Sequence, residues 1–533
     1  MKNVTISRTK RPTQKRTLAI DGSSLTTTDI AAFVGQPDMT VSLSPQTLRR
    51  MKAHRDFLLG AAQTQAIYGV NTGFGPMVTH IISAQEITAL QYNLLRGHAV
   101  GMGTPIDSRF VLSAMIVRLN TLAKGFSAAS SALAQTLAAC INARITPIVP
   151  EHGAVGTSGD LVQLAHIALM LIGEGEVMYW GKRQPALRAL KKAGITPHTL
   201  GPKEGLCLIN GTSVMSGIGA LLLVETSRAL AIATRAGALA FELMKGFTDV
   251  IDPTLHAARP HEGQERIARA MRDLTRNSKL LSNRQKVLAK VEINDSTHVT
   301  DILLQEVYSL RCIPQVLGPV LETLWKSEGT VYTEINSVTD NPIVDLESKR
   351  FLHGGNFHGD YVATALDQMK AGLIKMTLMS ERRINLFLNK NINHTFTPFL
   401  NLKTPGLTIG LQGLQFVATS TAADSQSLGY PHSLHSISTN GDNQDIVSMG
   451  TDAALFAAKV LDNAFVVLAI ELVALSQAVA VLDVESKLSP ASRALVEKVR
   501  TSVKPIIDDR SLTSELEALR TALRYDESLD IAW

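Results

Sequence analysis

Residues 360–376 read DYVATALDQMKAGLIKM, and Val362, Leu366, Met369, Leu373 and Met376 recur there at alternating spacings of four and three. That period lays the apolar residues along one stripe of a long helix and predicts a seam inside a helical bundle. The stretches 213–245 and 452–483 read the same way, as long and largely apolar helices. A shorter helix is expected from Leu161 through Leu164, Ile167 and Leu171, capped by Asp160 and stopped at Gly173. Strand-like pieces such as 177–180 are few and short, and no internal repeat of solenoid period is present. The chain is therefore read as all-α. Its expected divisions are a basic, disordered tail over 1–20, a loop-rich domain over 21–215 and a helical bundle over 216–533. The apolar faces of the long helices are wide enough to imply burial between subunits as well as within one.

Composition narrows the class. Hydrophobic residues make up 45% and charged residues 19% of the 533, the balance of a well-buried globular protein. Lys plus Arg number 52 against 47 Asp plus Glu, and much of that excess lies in Lys2, Arg8, Lys10, Arg11, Lys15 and Arg16. This N-terminal segment has no aromatic residues for base stacking and no second basic cluster of like density, so no nucleic-acid partner is expected. It also lacks the apolar core of a secretory signal. The greasiest stretch, 464–482, is broken by Glu471 and Gln477, which suits a buried bundle helix rather than a membrane span. Cys140, Cys207 and Cys312 are odd in number and far apart, suggesting neither a disulfide framework nor a zinc site and pointing to a reducing cytoplasm. His261-Glu262-Gly263-Gln264-Glu265 starts like a zinc-protease helix but lacks the second histidine, so no metal is expected.

The chemistry concentrates in Gly153-Ala154-Val155-Gly156-Thr157-Ser158-Gly159-Asp160. Attack of the Gly159 nitrogen on the Thr157 carbonyl carbon closes a five-membered ring. Loss of water from that ring and from the Ser158 hydroxyl leaves a methylidene on an imidazolone, an electrophile that no ordinary side chain matches. Gly159 has no Cβ and can approach closely in a strained turn. Ser158 supplies the methylene carbon, and Thr157 supplies only its carbonyl. Read alone, the same residues also fit a plain turn or a phosphate cradle.

Other polar clusters interrupt the apolar elements. They are the glycine-punctuated 67–75 with Tyr68, the 208–212 loop with Asn210, the 305–311 segment with Gln305, Tyr308 and Arg311 three apart, the 353–360 turn and the 442–445 run. Singly, each reads as a cap or turn. Together and in order, IYGVNTGFG (67–75), GTSGDL (156–161), LINGTSVMSG (208–217), QEVYSLRC (305–312), TDNPIV (339–344), HGGNF (353–357) and DNQDIVSMG (442–450) resemble the aromatic amino acid ammonia-lyase family. The resemblance runs from about residue 25 onward and is nearest the bacterial tyrosine enzymes. One position departs from the pattern, Thr157 standing where the family usually carries alanine.

The resemblance implies a long helical bundle of the ammonia-lyase and fumarase type. It also implies a 4-methylidene-imidazol-5-one group formed autocatalytically from Thr157-Ser158-Gly159, and a homotetramer whose sites combine residues of three subunits. Carried over, Tyr68 is the catalytic base, Arg311 binds the substrate carboxylate, and Tyr308 and Asn210 flank the prosthetic ring. Gln305, Asn356 and Phe357 line the pocket. Gly97-His98 occupies the selectivity position, where His98 can bond a phenol and Gly97 leaves room for it. Gln444 stands where histidine enzymes carry glutamate, so the electrostatic reason to prefer an imidazole is gone. The favoured reaction is L-tyrosine to trans-p-coumarate and ammonia. Histidine or phenylalanine deamination, a 2,3-aminomutase on the same ring and a catalytically silent helical scaffold remain the alternatives.

Overall fold

The computed structural model describes residues 16–293 and 295–533 and is dominated by helices, with only short strands between them. The chain forms two compact units, and these are not simply its first and second parts. One unit runs to Leu221 and takes back Tyr332–Gly359 and Ile437–Val447; the other holds Leu222–Val331, Asp360–Ser436 and Ser448–Trp533. The chain first crosses between the units after Leu221, and two later segments return to the first unit. Most of the expected tail lies outside the described residues. Its last four residues, Thr17–Ile20, are instead a strand, paired in parallel with Thr40–Leu43.

The first unit carries the loops. At its centre is the Ser108–Ala123 helix, buried continuously from Phe110 to Ala123. Ser131–Asn142, Leu161–Leu171 and Glu204–Ile209 are among the other helices of that core. The strand expected at 177–180 is Glu176–Tyr179, the middle member of a three-stranded antiparallel sheet with Thr146–Pro147 and Lys182–Pro185. The Leu161–Leu171 helix ends where the sequence places its stop, at a Gly173 with φ +84°.

Its start differs from expectation. Asp160 makes no side-chain bond to its own helix. Its carboxylate accepts the N–H groups of Val214 (2.7 Å) and Met215 (3.1 Å), in the first turn of the Ser213–Leu243 helix. A buried carboxylate thus satisfies two orphan donors and meets the positive end of a different helix dipole.

The second unit is the bundle. Its longest members are Asp360–Leu388 and Gly450–Leu482, packed with Gln412–Ser427 and Thr513–Tyr525. Val362, Leu366, Met369, Leu373 and Met376 are all buried, as their period requires. Inside the pair, Arg383 and Glu471 form an ion pair with both side chains essentially out of water, joined at a second contact of 3.1 Å. Glu471 is the residue that interrupts the greasy stretch, and burial demands that it be paired. Ser213–Leu243 and Gly450–Leu482 are long and apolar enough to cross a membrane, yet 89% and 78% of their most apolar windows are buried within the protein.

Candidate active site

Two loops meet at Ser158. The 157–159 turn lies against the 210–212 turn that precedes the Ser213–Leu243 helix, with a bridge between Gly159 and Gly211. Gly159 sits at φ +70°, and a Cβ there would lie 2.0 Å from the Gly211 oxygen, so no other residue fits. Asp160 N–H donates to that same oxygen at 2.8 Å, and Gly211 N–H donates to the Ser158 carbonyl at 3.1 Å. The Asn210 amide adds a second donor to the Ser158 carbonyl at 3.2 Å. Arg118 pins this arrangement from behind, donating to the backbone oxygens of Asn210 (3.0 Å) and Cys207 (3.2 Å). Burial pushes the Arg118 guanidinium below its usual range, opposed by Asp340 and Asp160.

The serine hydroxyl has its own partner. Gln444 donates its amide to Ser158 Oγ at 2.9 Å, and Thr157 Oγ1 donates to Gln444 Oε1 at 2.6 Å. Gln444 is presented by the 437–447 segment that returns to this unit, held in a short antiparallel bridge with Thr439.

These residues form one wall of a cavity of about 780 Å³. Tyr68 stands on it, within the 67–75 loop. That loop is shaped by Asn71, whose Oδ1 accepts Ile67 N–H at 2.7 Å, and by Gly69 at φ +68° packed on Leu206. Gln91 anchors the loop by donating to the Gly69 oxygen at 3.1 Å. The Tyr68 hydroxyl oxygen accepts Gly75 N–H at 3.0 Å, a donor aimed at the atom where negative charge falls once the proton has gone. His98 lines the same cavity from the end of the Ile87–His98 helix. Its Nδ1 bonds the Leu94 carbonyl at 2.8 Å. A carbonyl can only accept, so Nδ1 carries a hydrogen and Nε2 is the ring nitrogen left for another partner.

Of the residues predicted from sequence, Tyr68, His98, Thr157, Ser158, Gly159, Asn210, Phe357 and Gln444 are brought together here. Gly97 is exposed beside His98, and a Cβ there would meet nothing within 4 Å, so the room ascribed to it is not a feature of this cavity within one chain. Asn356 is also exposed and donates to the Val338 carbonyl at 3.3 Å instead of lining the cavity. Gln305, Tyr308 and Arg311 line a separate depression in the second unit. Only Tyr308–Arg311 is helical, so Gln305 shares their depression but not a helix face with them. The Arg311 guanidinium lies 4.9 Å from the centre of the Tyr308 ring, which is 71% exposed. Sequence reasoning missed Gly211, Arg118, Gln91, Thr439 and His358; the last lines the cavity and bonds the Ile446 oxygen at 3.2 Å. Gly211 lies in the 208–212 loop that the sequence marks and Thr439 just outside the 442–445 run, whereas Arg118 and Gln91 lie inside helices with no local signal.

The residues fit a methylidene-imidazolone. Gly159 occupies a cradle that a side chain would fill, the Ser158 carbonyl that would become the ring ketone holds two donors, and Asn210 Oδ1 is buried without a partner. Among the described residues, no group of three or more His, Cys, Asp or Glu side chains could hold a metal ion.

A helical fold with this triad on a cavity wall is that of an aromatic amino acid lyase. The family model described as "Aromatic amino acid lyase" matches residues 25–501, and the chain belongs to that family, a methylidene-imidazolone-dependent group of ammonia-lyases and aminomutases. It is 40% identical to a tyrosine ammonia-lyase of Cupriavidus metallidurans, over 96% of this chain and 97% of that one. It is 39% identical to a histidine ammonia-lyase of Geobacillus kaustophilus over 85% and 87%. The crystal structure of a tyrosine aminomutase from Streptomyces globisporus superposes with a TM-score of 0.91 at 37% identity, covering 95% and 96% of the two chains.

Proposed function

We propose that this enzyme converts L-tyrosine to trans-p-coumarate and ammonia, using a methylidene-imidazolone made by its own Thr157-Ser158-Gly159. The carrying observation is one cavity that joins Ser158, with its two carbonyl donors, to Tyr68 and His98. When formed, the group supplies an electrophile that activates the amino acid for loss of ammonia. Asn210 and Gly211 hold the Ser158 oxygen where negative charge gathers, the arrangement of an oxyanion hole. Tyr68 removes the β-proton as its phenolate, becoming the phenol, and Gly75 N–H holds that oxygen. His98 Nε2 accepts the substrate phenol hydroxyl. Gln444, neutral and held by Thr157, offers no charge to favour an imidazole.

Arg311 clamps the substrate carboxylate, with Tyr308 and Gln305 beside it, supplied to the cavity by another subunit of a homotetramer. Support comes from exposure: Ile293 is 91%, Val299 93% and Leu303 61% exposed on the segment leading to Tyr308, apolar side chains that a neighbouring subunit would cover. Asn356 completes the carboxylate end in the same assembly. The reaction belongs to the cytoplasm, in keeping with three free cysteines, of which Cys140 and Cys207 have thiols pushed up to about 12 and about 11 by burial.

Incubation with tyrosine, phenylalanine and histidine in turn, following each acrylate by absorbance, tests the reading. p-Coumarate formed fastest supports it. Urocanate or cinnamate formed faster reassigns the substrate, β-tyrosine as the main product makes the chain a 2,3-aminomutase, and no product from any of the three leaves a silent scaffold.

A further inference from the structure

Thr157 is 3% exposed, yet its hydroxyl is not idle. It donates to Gln444 Oε1 at 2.6 Å, and Thr439 Oγ1 donates to the same oxygen at 3.2 Å. An amide oxygen only accepts, so two hydroxyls on Oε1 fix which end of the amide faces Ser158. The NH2 end is the one that reaches Ser158 Oγ, at 2.9 Å. Turned over, the same amide would present an acceptor to that hydroxyl and could not support its departure.

We propose that Thr157 and Gln444 act as a positioning pair for maturation, Thr157 orienting the Gln444 amide so that its N–H stabilises Ser158 Oγ as that oxygen leaves. The proposal rests on the function proposed above and concerns the making of its electrophile. In the first dehydration the Gly159 N–Thr157 C bond forms, the Thr157 oxygen leaves, and its two hydrogens come from the nitrogens of Gly159 and Ser158. In the second, the Ser158 Cα–H and Cβ–Oγ bonds break and the Cα=Cβ bond forms. Oγ departs with its own hydrogen and the Cα proton, as water. Negative charge gathers on Oγ as the Cβ–Oγ bond lengthens, and Gln444 Nε2–H is the donor placed there. Alanine at position 157 provides the carbonyl for ring closure but leaves the amide only the longer Thr439 contact.

The test follows maturation directly. Full-length wild type and the Thr157→Ala, Thr157→Val, Thr157→Ser and Gln444→Met variants are made by cell-free translation. Each is sampled over time for intact mass and near-ultraviolet absorbance, with far-ultraviolet circular dichroism to confirm folding. The serine variant keeps the hydroxyl and is expected to reach the two-water deficit with wild type. Alanine, valine and Gln444→Met are expected to lag roughly tenfold. Combining Thr157→Ala with Gln444→Met adds no further lag if the two residues act as one unit. Alanine and valine variants that mature as fast as wild type overturn the pairing, as does a serine variant that lags with them or a double variant whose lags multiply. A wild-type chain that never loses two waters is a different result, and it refutes the proposed function instead.

Discussion

Asn210 donates its side-chain amide to the carbonyl oxygen of Ser158 at 3.2 Å, sharing that oxygen with Gly211 N–H at 3.1 Å. Removing the side-chain donor leaves the oxygen one bond where it had two. Asn210→Ala is expected to lower kcat by roughly 10²–10³ with a smaller change in KM. Steady-state kinetics on material whose ring absorbance is intact makes the measurement, and an unchanged kcat removes the oxyanion role.

The long helices were legible because their apolar period survives in Val362, Leu366, Met369, Leu373 and Met376, which need only one neighbour to bury them. The Leu161–Leu171 helix was legible too, but the role of its leading aspartate was not. Propensity sees Asp160 before a helix and assigns a cap, whereas packing brings Val214 and Met215 closer to the carboxylate. Thr17–Ile20 was hidden by the basic run before it, since pairing with Thr40–Leu43 leaves no mark in so short a segment. Much of the site was readable because its residues cluster in loops of fixed composition. Arg118 and Gln91 were not, because a buried polar residue inside a helix declares its partner only in three dimensions.

Tyr68→Phe removes the hydroxyl that accepts Gly75 N–H and leaves the ring-forming triad untouched. The variant is expected to show wild-type mass deficit and lose roughly 10²–10⁴ in turnover. Wild-type rates would assign the base elsewhere.

His98 governs the preference for a phenol. With Nδ1 committed to Leu94, Nε2 is the ring nitrogen left for the substrate hydroxyl. His98→Phe leaves that hydroxyl without a partner and is expected to shift the phenylalanine-to-tyrosine ratio of kcat/KM by about 10² or more toward phenylalanine. An unmoved ratio means that another residue reads the ring.

Acid stability should report on Glu204. Burial works to raise its carboxyl, but the His198 ring, Arg55, a Ser130 donor and Gly201 N–H outweigh it and hold the group at about 2, against an ordinary 4.5. A folded value below the unfolded one gives stability that is complete above about pH 4.5 and lost as the pH falls toward about 2. Glu204→Gln is expected to be less stable at pH 7 by on the order of 3 kcal/mol, with the gap closing through that window. Denaturant unfolding across pH checks it, and a gap constant down to pH 3 contradicts it.

The most direct measurement is the intact mass of purified wild type beside Ser158→Ala. Wild type is predicted to weigh two waters less than its sequence and to convert tyrosine, while the alanine variant carries no methylidene and is inactive. A wild-type mass equal to the sequence mass, or an alanine variant with full activity, contradicts the account.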